Sequence, residues 1–230
     1  SGPMTITNGS LVVSDPGQLG TGNAPISVMG ISSTAPLQPS GTLVLQGGTA
    51  GMTINRAISL SGRGYGFNNH AAVLSIGSNT FGGVITGATG NAENRMVFAS
   101  GNTTFGVGSV VNLGAPGGTG ILVTGDGNLF VNGLMTGGTT GQSGYYRAGV
   151  SQLSGTTVFT NWNNNAIANI RMDAGFTRLS NGGVVGWDPS VSQLRGGGGT
   201  WELRTDVPGS FSGVKLSLIH ISEPTRPERI

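Results

Sequence analysis

Gly120-Ile-Leu-Val-Thr124 and, two residues further on, Gly127-Asn-Leu-Phe-Val-Asn132 are short apolar runs set between glycine, asparagine and threonine. The same phrase recurs at Asn8-Gly-Ser-Leu-Val-Val13 and Ser40-Gly-Thr-Leu-Val-Leu45. A strand of about five residues, closed by a small polar turn and restarted many times without helical stretches, predicts a stacked β-solenoid. Glycine fits that reading: 44 of the 230 residues are Gly, and glycine takes the positive-φ corners such coils need.

Working outward, the same texture gives strands at Met4–Thr7, Leu11–Val13, Ile26–Met29, Leu43–Leu45, Ile58–Leu60, Ala72–Ile76, Val84–Thr86, Arg95–Ala99, Val110–Leu113, Ile121–Thr124 and Leu129–Asn132. Three strands to a coil of roughly 20 to 30 residues accommodate them. Each strand then pairs with its equivalent one coil away, so that inward Val, Ile and Leu form ladders.

Only 9% of residues are charged while 36% are hydrophobic, so a real core is available and the surface must be built from Gly, Ser, Thr and Asn. Charge-driven disorder is excluded, because apolar residues are plentiful and clustered into strands. The net charge is +2 and Lys215 is the single lysine; no dense basic stripe offers counterion release, so nucleic acid is not an expected partner. The absence of cysteine removes a disulfide framework, a thiolate metal site and a Cys nucleophile. No run approaches the roughly 18 apolar residues of a membrane helix, so no membrane insertion is expected of this chain.

The two ends read as foreign. Ser1-Gly2-Pro3 looks like the remnant of a protease-cleavage tag, which leaves room for an export signal upstream. Leu216-Ser-Leu-Ile-His-Ile-Ser-Glu-Pro-Thr-Arg226 resembles the translation of a transposase-type sequencing adapter, of the kind found at the ends of reading frames in metagenomic assemblies. Residues 1–215 are therefore expected to form one solenoid domain and 216–230 a non-native tail.

Within the array the texture changes near residues 136–149, which read as a long loop or boundary. Beyond it lie Trp162, Trp187 and Trp201, two of the three tyrosines (Tyr145 and Tyr146), and eight charges between Arg171 and Asp206. The glycine run Gly196 to Gly199 predicts a tight corner before a strand at Thr200-Trp-Glu-Leu-Arg204.

Gly17-Gln-Leu-Gly-Thr-Gly-Asn-Ala-Pro-Ile-Ser-Val28 and Ser78-Asn-Thr-Phe-Gly-Gly-Val-Ile85 resemble the autotransporter-associated β-strand repeat over roughly residues 8–135. The resemblance implies a right-handed parallel β-helix in a large secreted or surface-anchored bacterial protein. It carries over no catalytic residues.

Enzymatic β-helices need paired carboxylates, or a base with a cation, around the scissile bond. Asp173, Asp188, Glu202 and Asp206 are the acids near the aromatics, and they read more readily as partners of Arg171, Arg178, Arg195 and Arg204 on a solvated face. His70, beside two asparagines, reads as a turn residue and not a ligand. Asp126, in Thr124-Gly-Asp-Gly-Asn128, is one acid where a calcium turn needs several. No metal or other cofactor is expected.

Aromatic rings beside polar neighbours carry the remaining weight. Tyr145 and Tyr146, Trp162 with Asn163, Trp187 with Asp188, and Trp201 have the pairing with which proteins stack on a pyranose face and hydrogen-bond its hydroxyls. The competing reading is that one or more of these rings plugs the open end of the core. Together these features predict an all-β, right-handed parallel β-helix, extracellular or on the bacterial cell surface, that binds a polysaccharide or surface glycan without catalysis. A structural stalk or adhesin segment of an autotransporter-like protein is the second expectation, and a polysaccharide lyase or glycosidase the third.

Overall fold

The computed structural model describes residues 2–20, 22–30, 40–62, 71–87, 95–112, 120–137, 149–160, 166–167, 169–180, 193–204 and 216–218. It is a β-solenoid in which every strand pair among the described residues is parallel. One sheet stacks β1 (Met4–Ile6), β3 (Ile26–Met29), β5 (Ile58–Ser61), β7 (Val84–Gly87), β9 (Val110–Asn112), β11 (Leu134–Gly137) and β14 (Ala166–Ile167).

The second sheet runs through β2 (Gly9–Val13), β4 (Gly41–Ile54), β6 (Val73–Phe81), β8 (Arg95–Phe105), β10 (Gly120–Val131), β12 (Val150–Gln152), β15 (Asn169–Met172), β17 (Gln193–Gly196) and β19 (Leu216–Leu218). The long strands β4, β6, β8 and β10 bend to supply two walls of their coils. In later coils the bend becomes a break, and the second wall continues as β13 (Thr156–Phe159), β16 (Phe176–Ser180) and β18 (Thr200–Arg204). The five coils from β4 to β14 thus contribute three strand segments each, as expected. Coil length is set by register: the step from Leu11 to Leu43 takes 32 residues and the step from Val150 to Ile170 takes 20.

The corner between the first and second walls is a column of glycines. Gly48, Gly77, Gly101, Gly125, Gly155, Gly175 and Gly199 all have φ between +58° and +87°. Two constraints coincide there. A side chain would be strained by the backbone angle, and the coils stack so closely that a Cβ on Gly101 would lie 2.5 Å from the carbonyl carbon of Gly77. Gly77, Gly175 and Gly199 meet the backbone of a preceding corner glycine in the same way.

The core follows from strand alternation. Leu43, Val73, Met96, Ile121, Val150 and Ile170 stand in register on the first wall. Ile54, Phe81, Phe105, Val131, Phe159 and Leu179 do so on the second. All of them are buried. Phe105 holds two ring contacts, with centroids 5.6 Å from Phe81 and 5.9 Å from Phe98. Beside the second column the inward positions are largely polar, running Asn79, Thr103, Leu129, Thr157 and Thr177. Ser75 and Thr103 hydroxyls lie 2.8 Å apart, and Asn79 Nδ2 donates to Ser75 Oγ at 2.9 Å.

A second apolar layer lies outside the first wall. Val44, Leu74, Val97 and Leu122 point away from the core in register, yet they form their own buried cluster. The same outward column continues through Ser151 to Arg171, so it changes from aliphatic to cationic along the solenoid.

The N-terminal coil closes with a 3-10 turn over Pro16–Leu19. Asp15 caps it, its carboxylate accepting from Gly17 N at 2.6 Å, while Gln18 Oε1 accepts from Asp15 N at 3.2 Å. Of the stretch read as a foreign tail, Leu216–Leu218 pair with Leu194–Gly196 as one further rung. The ladder also passes without interruption from β10 to β12 across the segment 136–149.

Candidate functional site

On the outer side of the second wall, β8, β10, β13, β16 and β18 place two columns of side chains in register. One column is Asn102, Asn128, Thr156, Phe176 and Thr200; the other is Thr104, Phe130, Val158, Arg178 and Glu202. Strand alternation puts these residues outside because their neighbours Leu129, Thr157 and Thr177 are buried. Phe130, Val158, Phe176, Arg178 and Glu202 are all partly exposed.

The polar groups of this strip are connected. Arg178 Nε donates to Glu202 Oε2 at 2.6 Å, and the guanidinium lies 5.5 Å from the centre of the Phe176 ring. Asn128 Nδ2 donates to Asn102 Oδ1 at 3.1 Å. Around the glycine corner, Arg171 Nε reaches both oxygens of Asp173, at 3.0 and 3.1 Å. The acids near the aromatic half are thus arginine partners where they are described, as the sequence suggested. The strip is an open face over five coils, with amides on the first two and a ring, a held cation and a carboxylate on the last two. Successive coils are about 4.8 Å apart, close to the length of one pyranose in an extended chain.

Of the residues selected from sequence, Tyr145, Tyr146, Trp162, Asn163, Trp187 and Asp188 lie outside the described residues, as does His70. Trp201 is described, and it occupies an inward position. It stands in register with buried Thr177, is partly buried and packs against the main core cluster. It is the last described member of the inward column that runs through Thr157 and Thr177. Phe130 and Phe176 escaped the sequence reading, although each is an aromatic at an outward alternate position between polar residues. Asp126 is exposed at the corner of β10, where the register shifts between Val123 and Asp126.

A cleft of about 250 Å³ lies at the other end of the molecule, lined by Asn23, Thr53, Asn55 and Arg56 among others. Arg56 is 8% exposed. It donates to the carbonyls of Ala24 at 2.7 Å, of Leu19 and of Gly2, an arrangement that pins the capped 3-10 turn to the next coil.

No family model, no curated protein and no solved structure matches this chain.

Proposed function

We propose that the protein is a non-catalytic, extracellular module that binds polysaccharide along the outer side of its second wall. The observation that carries the reading is the strip Phe176–Arg178–Glu202 with Phe130 two coils below Phe176: ring faces for pyranose C–H groups beside an anchored cation–carboxylate pair for hydroxyls. An open face of this kind suits a chain that is gripped at several sugar units, each weakly. Such sites bind in the millimolar to micromolar range, which corresponds to about 4 to 8 kcal/mol.

The test is electrophoresis through gels containing soluble plant or microbial polysaccharides. Phe176→Ala and Glu202→Gln weaken retardation and leave the thermal midpoint nearly unchanged, and Trp162→Ala and Trp187→Ala are expected to do the same. Trp201→Ala does the opposite, lowering the midpoint and leaving retardation intact, since its ring serves the core. No retardation across a broad polysaccharide panel refutes the proposal.

A structural stalk of an autotransporter-like surface protein is the second reading, and Trp201 favours it. One of the rings selected from sequence is turned to the core, and a stalk needs only the ladder.

A further inference from the structure

The outer face of the seven-stranded sheet is built to a different pattern. Thr5, Ser27, Ser59, Thr86, Asn112 and Thr136 stand one above another on six successive strands. Two residues earlier on their strands, Val84, Val110 and Leu134 form a parallel aliphatic column. These side chains face solvent, with Val84 45% and Leu134 38% exposed. Every strand pair in this sheet keeps its register. In the other sheet, by contrast, the pairings of β4 with β6, β6 with β8 and β8 with β10 are each shifted.

Repetition in two directions is what this regularity produces. Outward neighbours lie about 4.8 Å apart across strands and about 6.6 Å apart along a strand. The result is a net of hydroxyl and amide groups alternating with methyl-bearing side chains. None of these outward residues is charged or aromatic. A polysaccharide face would call for rings or charged hydrogen-bonding groups, as on the second wall. A protein partner would call for a larger apolar area with fewer hydroxyls at its centre.

We infer that this face binds the surface of ice. Methyl groups force the adjoining water into an ordered layer, and hydroxyls and amides at fixed intervals hold members of that layer by hydrogen bonds. Both interstrand and intrastrand spacings are near the oxygen repeats of the faces of hexagonal ice. The stacked ladder fixes the net before binding, so little ordering remains to oppose adsorption. The face is separate from the polysaccharide strip in residues and in chemistry, and the inference stands or falls independently of that reading.

The experiment uses the full chain, measuring thermal hysteresis and inhibition of ice recrystallisation. The protein is expected to show both. Ser59→Lys and Thr86→Lys, each placing a hydrated charge in the middle of the net, abolish both effects while circular dichroism and thermal midpoint remain those of the parent. Gln46→Lys, at an exposed position of the other sheet, retains them. If either lysine variant fails to fold, the other decides, since they lie on different coils. A folded parent protein with no more effect on ice than an equal mass of a non-binding protein overturns the inference, and so does full activity in both folded lysine variants. Binding to crystalline cellulose that Thr86→Lys removes, without any effect on ice, also overturns it and assigns the face to a solid polysaccharide.

Discussion

Replacing Gly48 and Gly101 separately by alanine isolates how much of the corner glycines' necessity comes from stacking. Both residues have positive φ, +58° and +68°, so each alanine carries a left-handed penalty of about 1–2 kcal/mol. They differ in what the new methyl meets. At Gly48 nothing lies within 4 Å, whereas at Gly101 the Cβ falls 2.5 Å from Gly77 C and 2.6 Å from its Cα and O. Those atoms belong to a strand hydrogen-bonded on both sides, so relief requires a shift of the coil, and overpacking of this kind costs about 1–3 kcal/mol more. Gly48→Ala should therefore destabilise by about 1–2 kcal/mol and Gly101→Ala by about 2–5 kcal/mol. The entropy that alanine removes from the unfolded chain is common to both and cancels in the comparison. Guanidinium unfolding reads the difference as a lower midpoint at constant slope, and unfolding rates replace it if refolding is incomplete. Equal shifts for the two variants would refute the close-stacking argument and leave the backbone angle as the whole reason for glycine.

Two predictions concern polar groups in the core. Gln152 is fully buried and donates to the carbonyls of Gly155 and Phe176 at 2.7 and 2.8 Å while accepting from Thr177 Oγ1 at 2.5 Å. Gln152→Ala orphans these groups and opens a void, and should cost about 3–5 kcal/mol, seen as a fall in thermal midpoint. Thr157 is also fully buried, but its hydroxyl has no hydrogen-bond partner among the described residues. Thr157→Val keeps the shape and removes the orphan, so it should raise the denaturation midpoint, by about 1 kcal/mol; a lower midpoint would mean the hydroxyl is satisfied.

The first wall and the seven-stranded sheet were legible because their inward positions are mostly Ile, Leu, Val and Met at strict alternation, and all eleven strands read from sequence fall on observed ones. The second wall in β4, β6 and β8 was not. In β6 and β8 its inward positions pair one apolar residue with a polar one, Asn79 with Phe81 and Thr103 with Phe105, so the hydrophobic period there is half erased. The structure resolves this by letting buried side chains bond one another, Asn79 to Ser75 and Ser75 to Thr103. The capped 3-10 turn was legible in principle, since Asp15-Pro-Gly-Gln18 carries the reciprocal cap, but no strand periodicity pointed to it.

Sites on a solenoid are harder to read than its core for a related reason. Alternation tells which residues face out, but the partner of an outward residue is its equivalent one coil away, and coil length here varies from 20 to 32 residues. Arg178 and Glu202 are 24 positions apart in sequence and one rung apart in space, and Ser59 meets Thr86 after 27. Composition therefore announces aromatics, arginines and hydroxyls without saying which of them share a surface. Once register is known, the outer columns separate by chemistry: an uncharged hydroxyl and methyl net on the seven-stranded sheet, a ring and ion-pair strip on the later coils of the second wall, and on the first wall a column that passes from Leu122 through Ser151 to Arg171. The inward columns must be apolar or hydrogen-bonded within the core, as Gln152 and Asn79 are, whereas each outward column is free to vary, which is how one repetitive core presents surfaces of different kinds on different sides.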